Sequence, residues 1–127
     1  MDKHDFEVNV QIPVVLSEQD IDDIMVSALE GGINYWCWKA EVVGDYLGDY
    51  ASEQISRGGS LKLYDMESGE KLWLNREKFL NGFKLWFESN GDRYGAIDGH
   101  EVDPSRIDGE MADEIIQFAV FDDVIYC

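Results

Sequence analysis

Apolar and polar positions alternate strictly over FEVNVQI, with Phe6, Val8, Val10 and Ile12 on one face and Glu7, Asn9 and Gln11 on the other. A period of two predicts a half-buried strand, which Pro13 ends or leaves at a sheet edge. The period then changes. In LSEQDIDDIMVSALEGG the apolar residues Ile21, Ile24, Met25, Ala28 and Leu29 recur at helical spacing, with Ser17 as N-cap, Asp20 three residues on and Gly31 just past the end. INYWCWKAEV predicts a second strand, setting Trp36, Trp38, Ala40 and Val42 opposite Tyr35, Cys37, Lys39 and Glu41.

Beyond it, a glycine- and acid-rich segment holds a short helical stretch around Tyr50 to Ser56, closed by Gly58 and Gly59. SLKLYDMESGEKLWLN reads as a hairpin, with Leu61, Leu63, Leu72 and Leu74 flanking a turn at Glu67, Ser68 and Gly69. Asn75 can cap a helix running to about Glu88, whose apolar stripe is Phe79, Leu80, Phe83, Trp86 and Phe87. Residues 90–109 read as an irregular connection. A last helix spans Glu110 to Phe121 with Met111, Ala112, Ile115, Ile116 and Ala119 inward, and VIY at 124–126 predicts a short final strand. The order predicts a single α+β domain over 1–127, a mainly antiparallel sheet of about four to five strands packed against two to three helices.

Composition agrees with a packed globule: 45% of residues are hydrophobic and 13% aromatic, enough to outweigh the tendency to disorder of a chain with net charge −17. No window approaches a membrane span and the N-terminus has no basic segment leading into an apolar run, so the expectation is a cytoplasmic protein with no membrane partner. Cys37 and Cys127 then read as two reduced thiols.

Charge placement narrows the partners. Residues 1–60 carry 12 acids and 3 bases, residues 61–91 carry 5 and 5, and residues 92–127 carry 10 and 2. Two acidic ends flank a balanced middle. Such a field repels nucleic acid and anionic membrane and attracts basic protein surfaces.

Several motifs suggest chemistry. NGDRYGAIDGHE, residues 90–101, follows the spacing of a calcium loop: Asn90, Asp92, Asp98 and Glu101 supply oxygens, Gly95 stands at the turn and Ile97 at the apolar position. Tyr94 is a poor ligand at its position, and Asp103-Pro104 interrupts the helix that should follow. Calcium is thus the one candidate cofactor, and a solvated turn the simpler reading. Tyr35, Trp36 and Trp38 offer faces for stacking, but only Lys39 lies nearby in sequence where a nucleic-acid groove needs several bases, so they read as core, as do Trp73 and Trp86. His4 and His100 have no metal-ligating neighbours, no phosphate-cradling loop is present, and the carboxylate pairs carry little information among 27 acids. The chain therefore reads as a non-enzyme.

The acids themselves remain. Glu18, Asp22 and Asp23 lie together on the first helix, and no lysine or arginine occurs from residue 4 to 38. Like charges at this spacing cost a few tenths of a kcal/mol per pair, and carboxylates about 5–6 Å apart at their Cβ atoms approach the spacing of phosphates on a nucleic-acid strand. With Asp45, Asp49 and Glu53 they form the candidate contact face.

ALEGGINYW at 28–36, DYASEQISRGG at 49–59 and IIQFAVFDDVIY at 115–126 resemble a family of small acidic proteins of bacteriophages and prophages, a likeness that runs from about residue 17 onward. The family carries no assigned catalytic residues. The resemblance implies a cytoplasmic protein of a bacterial host cell, and by class analogy an anti-CRISPR or anti-restriction inhibitor that imitates nucleic acid. The expected partner is a basic nucleic-acid-binding host protein, with no direct binding of nucleic acid. A calcium-binding module built on the 90–101 loop and an accessory or structural phage protein are the alternatives.

Overall fold

The computed structural model describes residues 5–6, 8, 13–90 and 97–127. Its elements run α1 (Glu18–Ser27), β1 (Cys37–Val43), β2 (Ser60–Asp65), β3 (Lys71–Leu74), α2 (Arg76–Asn90), β4 (Ile97–Asp98), β5 (Glu101–Val102) and α3 (Gly109–Phe121). The α+β class holds. The main sheet is smaller than expected, however: β1, β2 and β3 form a three-stranded antiparallel sheet in that order, and β4 with β5 forms a separate two-stranded ladder.

Local signals explain the well-predicted elements. The Ser17 hydroxyl accepts from the Asp20 amide at 3.0 Å while the Asp20 carboxylate accepts from the Ser17 amide at 2.8 Å, a reciprocal capping box that starts α1. α1 then runs into one wider helical turn, Ala28–Gly32. The Asn75 side chain accepts from the Lys78 amide at 2.9 Å and opens α2. In the β2–β3 hairpin, Leu61 pairs Leu74 and Leu63 pairs Leu72, and Gly69 takes φ 75°, a conformation open to glycine without strain.

Four expectations need correction. The first strand is expected to bury Phe6 and Val8, yet both are exposed and in no strand; the rest of that segment lies outside the described residues. In β1 the register shifts between Cys37 and Lys39, so Trp36 and Cys37 are both buried while Trp38 turns outward. A bulge adds one residue to one strand and so flips the faces that strict alternation assigns. In α2 the buried stripe is Phe79, Phe83 and Trp86, and Leu80 is exposed. Finally, 124–127 form no strand: the Gln117 side-chain carbonyl accepts from the Ile125 and Tyr126 amides, both at 2.9 Å, taking the place of a sheet partner.

One hydrophobic cluster joins these elements, with Ile24, Met25, Trp36, Leu61, Leu63, Leu74, Phe79, Trp86, Ile115 and Ile116 all essentially inaccessible. Its helices approach closely. A Cβ built on Gly82 of α2 would lie 2.7 Å from the Ala119 backbone of α3, and one on Gly32 would lie 2.5 Å from the Gly109 carbonyl oxygen at the start of α3. Both obstacles are backbone, which cannot rotate aside. Gly82→Ala is therefore expected to destabilise the fold by about 1–3 kcal/mol despite the better helix propensity of alanine, measured by urea denaturation.

Candidate functional site

Where α1 and its wide last turn cross α3, the chain builds an acid-lined cleft of about 390 Å³. Its walls include Gly32, Tyr35, Glu110, Asp113, Glu114 and Tyr126. The spacing on α3 explains the convergence: 110, 113 and 114 are three and four positions apart and share one side of the helix. Gly32, by lacking a side chain, lets α3 come close enough to close the cleft from the other side.

Asp113 forms the floor. It is 5% exposed and its carboxylate accepts from the Tyr35 hydroxyl at 2.5 Å, the Trp36 indole N–H at 2.7 Å and the Gln117 amide at 2.9 Å. A buried carboxylate without a cation is tolerated only when charge-assisted hydrogen bonds replace its hydration, and here three neutral donors do so. Burial and then the bond to Asp113 push the Tyr35 hydroxyl far above its ordinary range, which keeps it a donor.

A second buried carboxylate repeats the device. Asp65, at the end of β2, accepts from the Tyr126 hydroxyl at 2.8 Å and from the Glu67 amide at 2.9 Å. Burial alone would raise its pKa, but the Tyr126, Glu67 and Ser68 hydrogen bonds outweigh burial and hold it below the usual carboxylate range. The same bond raises the Tyr126 hydroxyl to about 12. Gln117 links the two sites, donating to Asp113, to the Tyr35 hydroxyl and to the Tyr126 carbonyl.

Glu114 behaves differently. Burial raises its carboxyl, the Trp86 indole partly counters this, and the neighbouring charges of Glu110, Asp113 and Asp108 raise it further. The cleft thus accumulates negative charge that nothing on α3 offsets.

The residues expected to form the contact face are placed unevenly. Glu18, Asp45 and Asp49 are exposed. Asp23, half-buried, accepts from the Gln19 amide at 2.8 Å. Asp22 turns toward the adjoining segment, accepting from the Ser56 hydroxyl at 2.6 Å with Arg57 at 4.0 Å. Glu53 accepts from the Asp49 and Tyr50 amides, and these bonds, then Arg57 at 3.2 Å, hold its carboxyl below the ordinary range. Asp22 and Glu53 therefore meet across Arg57 and tie α1 to the 51–53 turn.

Of the calcium loop, residues 91–96, including Asp92, lie outside the described residues, as do the side chains of Asn90 and Asp98. Asp98 pairs Glu101 in the β4–β5 ladder, so a strand follows where a calcium loop enters a helix. Among the described residues no three His, Cys, Asp or Glu gather as a metal site. Cys37 and Cys127 are not bridged, and burial raises the Cys37 thiol.

Sequence reading missed Tyr35, Asp113, Gln117, Asp65 and Tyr126. One signal was present: Asp113 and Gln117 are four apart and each follows an inward residue, Ala112 and Ile116, so that polar side chains stand beside an apolar face. Comparison with protein-family models, with curated proteins and with solved structures finds no match.

Two outcomes test the site. Asp113→Ala strands the buried Trp36 indole N–H and removes one acceptor each from Tyr35 and Gln117, and is expected to cost about 1–3 kcal/mol in urea denaturation. Glu114 has a raised folded pKa, so between the unfolded value of about 4.3 and that raised value the folded state holds the proton more tightly. Its contribution to stability falls as pH rises through that window. Glu114→Gln should accordingly raise Tm at neutral pH, with the gain vanishing near pH 4.

Proposed function

We propose that this protein is an acidic decoy, a non-enzymatic inhibitor of the anti-CRISPR or anti-restriction kind that occupies the phosphate-binding groove of a host nucleic-acid-binding protein. One observation carries the reading. The segments 4–38 and 107–127 contain no lysine or arginine, and α1 and its wide turn, within the first, lie against α3, within the second. These packed elements carry Glu18, Asp20, Asp23, Glu30, Glu110 and Glu114, none of them buried.

Carboxylates on rigid helices keep their spacing, and a groove that holds lysine and arginine for phosphate meets them with complementary charge. Docking would relieve the repulsion around Glu114, which supplies a driving force beyond steering. Asp22 and Glu53 contribute less than the exposed acids, because Ser56, Arg57 and backbone amides already engage them.

Competition tests the proposal. A basic partner captured from bacterial lysate at low salt should release its bound DNA duplex when the protein is added, and raised salt should restore the duplex complex. Replacing Glu18, Asp23, Glu110 and Glu114 together by their amides should abolish the displacement while leaving the fold intact. A partner that keeps its duplex at saturating protein, or a variant that competes as well as the parent, would refute the decoy.

A further inference from the structure

The solvent face of the sheet differs from the rest of the molecule. Strand pairing sets Lys39, Tyr64 and Lys71 in one row across β1, β2 and β3, and Glu41, Lys62 and Trp73 in the next. Trp38, turned outward by the register shift, stands over Tyr64 with ring centroids 5.2 Å apart. Three aromatic rings thus cross three strands, and both tryptophans are open, Trp38 61% and Trp73 46% exposed. Three of the chain's ten bases share this face with one carboxylate, Glu41.

The lysines are held in place. Lys39 and Lys71 lie over the Tyr64 ring at 5.2 and 5.6 Å, and Lys62 lies over Trp73 at 5.2 Å. Glu41 engages Lys39 at 3.1 Å and Lys62 at 3.9 Å; among the described residues Lys71 meets no carboxylate. Lys78 adds a fourth cation at the rim, donating to the Trp73 carbonyl. Beside Trp38 and Lys39 an open cleft of about 500 Å³ is lined also by Leu29, Asn34 and Met66. Its volume is in the range of small-ligand clefts, and Asn34 adds a polar side chain to the lining.

We infer that this sheet face is a binding platform for a short single-stranded nucleic acid, its bases stacking on the exposed Trp38 and Trp73 and its phosphates meeting Lys39, Lys62 and Lys71, two of which the Tyr64 ring holds in place. The combination decides the ligand. A neutral sugar would leave the excess lysine charge unanswered, and an acidic peptide would leave the rings without flat partners, whereas a nucleotide strand uses both. The net charge of −17 does not forbid it. The acids are concentrated on α1 and α3, and the Debye length at physiological salt is about 8 Å, so repulsion from acids farther away than that is largely screened at the lysine face.

Titration of the intrinsic tryptophan emission tests the platform without any protein partner, so its outcome is independent of the decoy reading. A hexathymidylate strand at 0.15 M salt should quench saturably, thymidine monophosphate more weakly, and inorganic phosphate, duplex DNA and chitobiose not at all. Trp38→Ala should weaken strand binding about tenfold and Lys71→Ala about threefold, circular dichroism showing both folded. The quadruple amide variant of α1 and α3 should bind the strand as the parent does. No saturable response to the strand at millimolar concentration, equal binding by the Trp38→Ala variant, or a response to chitobiose in its place would overturn the inference.

Discussion

The burial of the Asp113 carboxylate is the constraint around which the molecule closes. A charged group taken out of water must recover its hydrogen bonds from the protein. Here the donors come from the segment between α1 and β1 (Tyr35, Trp36) and from the next turn of α3 (Gln117), so that satisfying one side chain fixes how that segment meets α3. Trp36 is then clamped on its ring face by Tyr126 and at an angle by Phe121. The polar network and the aromatic core are thus one structure, and neither can be altered alone.

That network also explains how a chain with 27 acids and 10 bases manages buried negative charge. Asp113 and Asp65 are held by a phenol, an indole and amides in place of cations. Neutral donors leave the few bases free for other work, and Lys39, Lys62, Lys71 and Lys78 are found on or beside the sheet. α1 and α3 carry no lysine or arginine, while the sheet bears Lys39, Lys62 and Lys71. Arg57 is placed elsewhere, between Asp22 and Glu53, where two carboxylates from different elements converge.

Much of the fold was legible because its signals are local. Ser17 with Asp20, Asn75 before α2, and the leucine pairs of the β2–β3 hairpin each act within a few residues and appear where expected. The inward face of α3 follows the same logic. What sequence could not supply was pairing across distance. The outward turn of Trp38 depends on a register shift against β2, and the lysines around it arrive from β2 and β3, so a reading confined to neighbours in sequence saw only Lys39. The same limit holds on α1: Glu18, Asp22 and Asp23 look equivalent along the helix, yet Asp22 is claimed by Ser56 and Arg57 far along the chain.

The closing bonds span long stretches of chain: Tyr126 reaches back 61 positions to Asp65, and Asp113 reaches back 78 to Tyr35. At the usual 5–20 residues per second of translation, Asp65 leaves the ribosome about 3–12 s before the hydroxyl that answers it. During that interval the hairpin can pair, but Trp36 lacks the aromatic rings that cover it. The nascent chain therefore presents a tryptophan-centred apolar surface until its closing segment emerges, the kind of surface that general chaperones hold.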